Sequence, residues 1–159
     1  TVRANAALGL VRFGDDSGRA ELVRMLAPAH VTAPQQGRVL DLAAQGTAVR
    51  EGGLLAMLDS GSGSVEVRSP IVGRVRSLGA TKDNTVIKGA ELAIVDPAAD
   101  QVWEALRGLY LIGGKEDLTA VRAYLRPMPE MPDRVRQQAL LTEKAILDRA
   151  SGTPPPQQP

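Results

Sequence analysis

The chain has 159 residues and a mass of 16.8 kDa, with 16 Gly, 11 Pro, one His and no Cys. Without Cys there is no disulfide framework, thiolate nucleophile, zinc ribbon or iron–sulfur site, and His30 alone cannot build a multi-histidine metal centre. A net charge of +1 with both signs mixed along the chain gives no basic stripe for nucleic acid, and no apolar run approaches the ~20 residues that span a bilayer.

Residues 1–27 carry helical spacing. Val2, Ala6, Leu10 and Phe13 recur at a 3.6-residue period, Gly14–Gly18 is a turn cluster, and Leu22, Val23, Met25 and Leu26 mark a second helix that Pro28 stops. A helical hairpin is predicted. Thr1 already lies inside this pattern, so a fragment or processed form of a longer protein is expected. A soluble chain follows, in the cytoplasm or in a periplasmic or other extracytoplasmic space.

Residues 29–97 have a different texture. Short Val-, Ile- and Leu-rich runs are punctuated by Gly and Pro, which predicts strands of about 4–6 residues joined by tight turns. Residues 101–150 return to helical spacing. Val102, Leu106, Leu109 and Tyr110 mark one helix, ended by Gly113-Gly114. Leu118, Val121, Tyr124 and Leu125 mark a second, ended by Pro127. Val135, Ala139, Leu140 and Ile146 mark a third, with Asp133 as its expected N-cap. Residues 151–159, SGTPPPQQP, read as a linker or disordered tail.

The β section contains an internal repeat. Val31, Pro34, Gly37, Arg38, Val39 and Leu42 match Val67, Pro70, Gly73, Arg74, Val75 and Leu78 at an offset of 36. After one inserted residue, Val49, Gly52, Leu55, Ala56 and Asp59 match Val86, Gly89, Leu92, Ala93 and Asp96 at 37. Gly52 and Gly89 are expected to supply positive φ at equivalent turns. Neither half can cover its own apolar face, so two facing halves with a shared core are predicted.

The repeated pattern, Pro34-Gln35-Gln36-Gly37-Arg38-Val39 and Pro70-Ile71-Val72-Gly73-Arg74-Val75, resembles biotinyl/lipoyl-like domains. The resemblance spans residues 31–96 and implies a barrel-sandwich hybrid of two quasi-symmetric halves, a fold also found in adaptor subunits of bacterial efflux and secretion systems. Carrier members hold biotin or lipoate on a lysine in the hairpin joining the halves. Counting back from Val67-Arg68-Ser69-Pro70, that position falls on Ser62, within Ser60-Gly61-Ser62-Gly63-Ser64. A hydroxyl cannot form the stable amide that a lysine makes, and Lys82 and Lys88 do not match the position. No cofactor is therefore expected. Efflux adaptors often place a long helical hairpin between the halves, and the short 60–66 segment leaves no room for one.

The flanks resemble HEAT-like repeats. Val2-Arg3-x-x-Ala6 and Val135-Arg136-x-x-Ala139 share a core, and Gly14 and Gly114 end helices at matching distances from Val2 and Val102. The resemblance implies helix pairs that stack into protein-binding scaffolds. Since one pair cannot bury its own faces, residues 1–27 are expected to pack on 101–150, with the β module inserted between or beside them. The fold class is then α+β.

Few residues suggest chemistry. His30 is expected to be a surface or capping residue. Gly113-Gly114-Lys115 departs from a phosphate loop, because Leu109 stands at the first glycine and Glu116 at the Ser/Thr. Ser60–Ser64 lacks the order of a nucleophile elbow. Asp15-Asp16 and Glu116-Asp117 suit the positive ends of the helices that follow them. Arg3 and Arg136 are candidates for a partner groove or for salt bridges within the repeats. Trp103 and Tyr110, seven apart, are candidates for core packing or for an interface anchor. Neither a catalytic site nor a metal site is expected. The reading is a non-enzymatic scaffold or interaction module with a protein partner, and the adaptor resemblance implies an envelope export or assembly setting. Its alternatives are a carrier-type domain without its acceptor lysine and a small-ligand-binding domain.

Overall fold

The computed structural model describes residues 18–152 together with Ala6 and Gly9. The chain is mixed α+β and divides into two compact units, Pro28–Ala98 and the combination of Thr1–Ala27 with Ala99–Pro159.

The first unit has eight strands: β1 (Ala29–Thr32), β2 (Gly37–Leu42), β3 (Ala48–Val49), β4 (Leu54–Asp59), β5 (Ser64–Arg68), β6 (Gly73–Leu78), β7 (Thr85–Val86) and β8 (Glu91–Pro97). They form two antiparallel sheets, ordered β1-β8-β6-β3 and β5-β4-β2-β7. Exchanging β1–β4 for β5–β8 turns one order into the other. The registers obey the same exchange. Arg38 faces Asp59 and Arg74 faces Asp96, while Gly37 faces Val86 and Gly73 faces Val49.

The expected picture of one half facing the other needs correction, because each sheet takes two strands from each half. Interleaving gives the long central strands partners on both sides and leaves short strands at the edges, where open hydrogen-bonding groups are least hazardous. The β4–β5 and β8–β1 ladders each skip one residue, Leu55 and Leu92. These irregularities let Leu55-Ala56 and Leu92-Ala93 all turn inward, where strict alternation would expose one of each pair. With Val39, Leu58, Val75 and Val95 they make the core of the unit.

Gly52 and Gly89 take φ of +74° and +83°. Gly52 N–H donates to Ser69 O (2.7 Å) and Gly89 N–H to Ala33 O (2.8 Å), which are equivalent bonds. Gly37 and Gly73 are glycine for another reason. A Cβ on Gly37 would stand 2.7 Å from the Asp59 carbonyl oxygen, and one on Gly73 would overlap the Asp96 carbonyl oxygen outright.

The second unit contains α1 (Arg19–Leu26), α2 (Ala99–Ile112), a 3₁₀ turn (Lys115–Asp117), α3 (Leu118–Arg122) and α4 (Asp133–Ala150). Helices α2 and α4 run parallel, as three successive contacts show: Asp100 with Arg134, Leu106 with Thr142, and Gly113 with Arg149. Two contacts align α1 with the α3 segment in the same sense, Arg19 with Asp117 and Leu26 with Tyr124. Leu22, Leu106, Leu109, Val121, Val135 and Ile146 lie in their shared core. Apart from Ala6 and Gly9, the first predicted helix of the 1–27 hairpin lies outside the described residues, as do Arg3, Asp15-Asp16 and the 153–159 part of the tail.

Three sequence expectations differ from the structure here. The helix expected to reach Leu125 stops at Arg122. Tyr124 and Leu125 close three-residue turns instead (3.1 and 3.2 Å), and Pro127 disfavours helix in the residue before it. Asp133 is the first residue of α4, preceded by extended Pro132, and caps no backbone amide. Its carboxylate instead accepts from Arg136 (2.8 Å) and Gln137 (2.8 Å). Leu140, expected on the buried face, is 48% exposed.

Gly73→Ala is predicted to lower stability in urea unfolding by about 1–3 kcal/mol. Gly37→Ala is predicted to cost less, since its Cβ has more room.

Candidate functional site

The loop joining the two halves is built by β4 and β5. Their register ends with Asp59 opposite Ser64, leaving 60–63 as the turn. Ser60 donates from its N–H (3.0 Å) and from its hydroxyl (2.8 Å) to Gly63 O. Gly61 N–H donates to Asp59 Oδ1 at 2.9 Å. Gly61 and Gly63 adopt φ of +82° and +153°, which suits the absence of a side chain. Ser62 is exposed between them, its hydroxyl 3.2 Å from Ser60 Oγ. Neither hydroxyl has a base that would make it a nucleophile. His30, the only imidazole, lies in β1 with Nδ1 2.7 Å from Glu91 Oε2, and both groups are largely exposed. It is a strand residue in a surface pair and caps no helix.

The helical candidates are dispersed. Trp103 is half-buried, its ring packed on the core and covered by Arg107 (4.7 Å) and Arg134 (5.3 Å). These cations hold their own acids, Glu104 and Asp100. Arg134 and Arg136 are two residues apart and point to different sides of α4. The structure therefore brings Arg134, and not Arg136, to the indole. Arg136 pairs with Asp133 and lines a small cleft with Tyr124, Met128, Met131 and Val135. Tyr110 is half-buried, and its carbonyl accepts from Arg149 Nη1 at 2.6 Å.

Sequence reasoning missed two polar clamps. Arg149 also donates to Leu109 O (3.2 Å) and Gly113 O (2.9 Å), gathering the open carbonyls at the end of α2. Burial pulls its pKa below the ordinary arginine value. Asp117 is nearly buried. It accepts from Gly114 N–H (2.8 Å) and Arg19 Nε (2.7 Å), while the same guanidinium reaches Glu116. Hydrogen bonds to Asp117 and then Glu116 hold the Arg19 pKa above its ordinary value. The acids at 116–117 thus act through a hydrogen-bond network more than through the helix dipole. The long sequence separation of Arg19 and Asp117 hides the pair from any local pattern.

Among the described residues, no cluster of three or more acids or histidines could hold a metal. No buried side-chain polar atom there lacks a partner, and no helix is long and apolar enough to cross a membrane.

Asp117→Ala removes the Gly114 cap and one of the two acidic partners of Arg19. It is predicted to lower unfolding free energy by about 1–3 kcal/mol. Acid titration supplies a second check. The Glu116 carboxyl is lowered by its own backbone hydrogen bond and then by Arg19, and that of Asp133 by Arg136. Folded pKa values below the unfolded ones stabilise above the ordinary carboxylate range, and this contribution is lost as pH falls through the folded values. Stability is predicted to fall on acidification, and Glu116→Gln with Asp133→Asn to flatten that slope.

No family model matches the chain, and no curated protein matches it in sequence. Two solved structures share local similarity. Urea carboxylase from Kluyveromyces lactis aligns over 43% of this chain and 6% of its own, at 18% identity and a TM-score of 0.41. A single-chain, multi-domain long-chain acyl-CoA carboxylase aligns over 60% of this chain and 10% of its own, at 21% identity and a TM-score of 0.43.

Proposed function

We propose that this chain is a non-catalytic protein-docking module. Its β unit is a biotinyl/lipoyl-like barrel-sandwich hybrid that has lost its acceptor lysine, and its helices are a HEAT-like scaffold. One observation carries the reading: the two halves exchange strand for strand, and the single loop joining them carries Ser62 between two positive-φ glycines. In a carrier of this architecture that loop presents the prosthetic group to partner enzymes. With a hydroxyl there, the loop retains recognition surface without cargo. The parallel pairing of α2 with α4 and of α1 with the α3 segment supports the scaffold part. Trp103, Tyr110 and Arg136 remain candidate contact residues of that scaffold, along with Arg3.

Intact-mass measurement after co-expression with a biotin ligase, and separately with a lipoate ligase, tests the carrier part. The wild-type chain is expected to keep its unmodified mass, and Ser62→Lys is expected to gain the group. Biotin or lipoate on Lys82 or Lys88 of the wild type would overturn the reading.

A further inference from the structure

The segment between α3 and α4 shapes a small cleft in the helical unit. Its most buried lining residues are Tyr124 and Val135, which are 6% and 1% exposed. The Tyr124 hydroxyl is bonded to Leu26 O, so the ring offers the cleft an apolar surface. Met128 and Met131 line it as half-buried walls, held in a turn by the Met131 N–H to Met128 O bond at 3.0 Å. Unbranched thioether side chains adapt to what they touch. Pro127, Pro129 and Pro132 fix backbone angles along the segment, which lowers the ordering cost of binding there. The cleft volume is about 90 Å³. Sites for free small molecules run to about 300–1,000 Å³, whereas a closed cavity of about 150 Å³ takes benzene. This space suits a single aliphatic side chain presented by something larger.

Two guanidinium groups line the same cleft. Arg136 is neutralised by Asp133, whose carboxylate accepts from it at 2.9 and 2.8 Å. Arg126 is exposed and makes no ion pair or side-chain hydrogen bond among the described residues. Glu130, the acid nearest to it along the chain, does not line the cleft. We propose that the cleft receives one bulky aliphatic side chain of a partner protein, with a neighbouring Asp or Glu of that partner on Arg126. Charge selects this occupant. The apolar lining takes the aliphatic group, and the uncompensated guanidinium favours a carboxylate, which its fork can bond through two N–H groups. A basic partner segment would set cation against cation, which costs Coulomb energy. The inference rests on the docking role proposed for the helices and names its partner chemistry, and it involves the helical unit alone.

The test is methyl NMR of the full chain, labelled with ¹³C at its four methionines and titrated with acetyl-Glu-Leu-Glu-amide or acetyl-Gln-Leu-Gln-amide. Met128 and Met131 report the cleft, while Met25 in the helical core and Met57 in β4 are internal controls. The Met128 and Met131 methyls are expected to shift together and saturate with the acidic peptide. The neutral peptide is expected to bind about fivefold more weakly. Arg126→Gln, at an exposed position, is expected to leave the Met25 and Met57 signals in place and to weaken the acidic peptide to the level of the neutral one. Three results would overturn the proposal: no saturable shift at Met128 and Met131, equal affinity for the two peptides, or an Arg126→Gln variant that binds the acidic peptide as before. A peptide that shifts Met57 alone overturns the cleft assignment and leaves the docking role of the chain standing.

Discussion

Neither half of the β unit owns a sheet. Each sheet is completed by strands of the other half, so the pairing of β2 with β4 and of β6 with β8 has to coexist with crossings between the halves. That requirement explains the residues the repeat keeps. Gly37 and Gly73 sit where the backbone of β4 or β8 passes too closely for a side chain. The inward Val39 and Val75 follow two residues later, as the strand period dictates. The skipped residues Leu55 and Leu92 add a second inward side chain where each long strand bends. The repeated sequence is the record of one strand-crossing geometry solved twice.

The helical unit depends on polar groups that tie helix ends together over a shared apolar core. Arg149 occupies the carbonyls at the end of α2, and Asp117 fixes the turn that follows while holding Arg19 of α1. Tyr124 adds a hydroxyl bond to Leu26 O at 2.6 Å. These contacts set the parallel alignment of neighbouring helices, for which side-chain burial alone is less directional. Close approach matters here too, since Gly108 of α2 lies against Leu22 with no room for a further carbon.

Much of this was legible in the sequence, for identifiable reasons. The two β half-modules show because the same backbone geometry demands Gly, Val and Leu at the same places. The 60–63 turn shows because its glycines permit φ values that other residues rarely adopt. What stayed hidden is long-range. Nothing near Arg19 in sequence indicates Asp117, and no local period says that Arg149 will find the end of α2. Leu140 illustrates the limit of periodicity: its spacing fits an apolar helix face, yet the covered side of α4 is defined by where α2 lies. Asp133 looked like a cap by residue type, but Pro132 already supplies the extended residue before the helix. Interleaving of the sheets was also hidden, because a repeat reports equivalence and not which strand pairs with which.

The β1–β8 pairing places Ala29 opposite Val95, so the polypeptide enters and leaves the β unit side by side. This has an entropic meaning. Before the β unit folds, bringing α1 to α2 closes a loop of 71 residues, Pro28–Ala98. After it folds, the same encounter closes a loop only a few residues long. Four doublings of loop length separate the two cases, an entropic difference of about 2 kcal/mol. The β unit therefore acts on the helices as a tether shortened by its own folding. The coupling is reciprocal, because pairing of the helices equally brings the outer ends of β1 and β8 together.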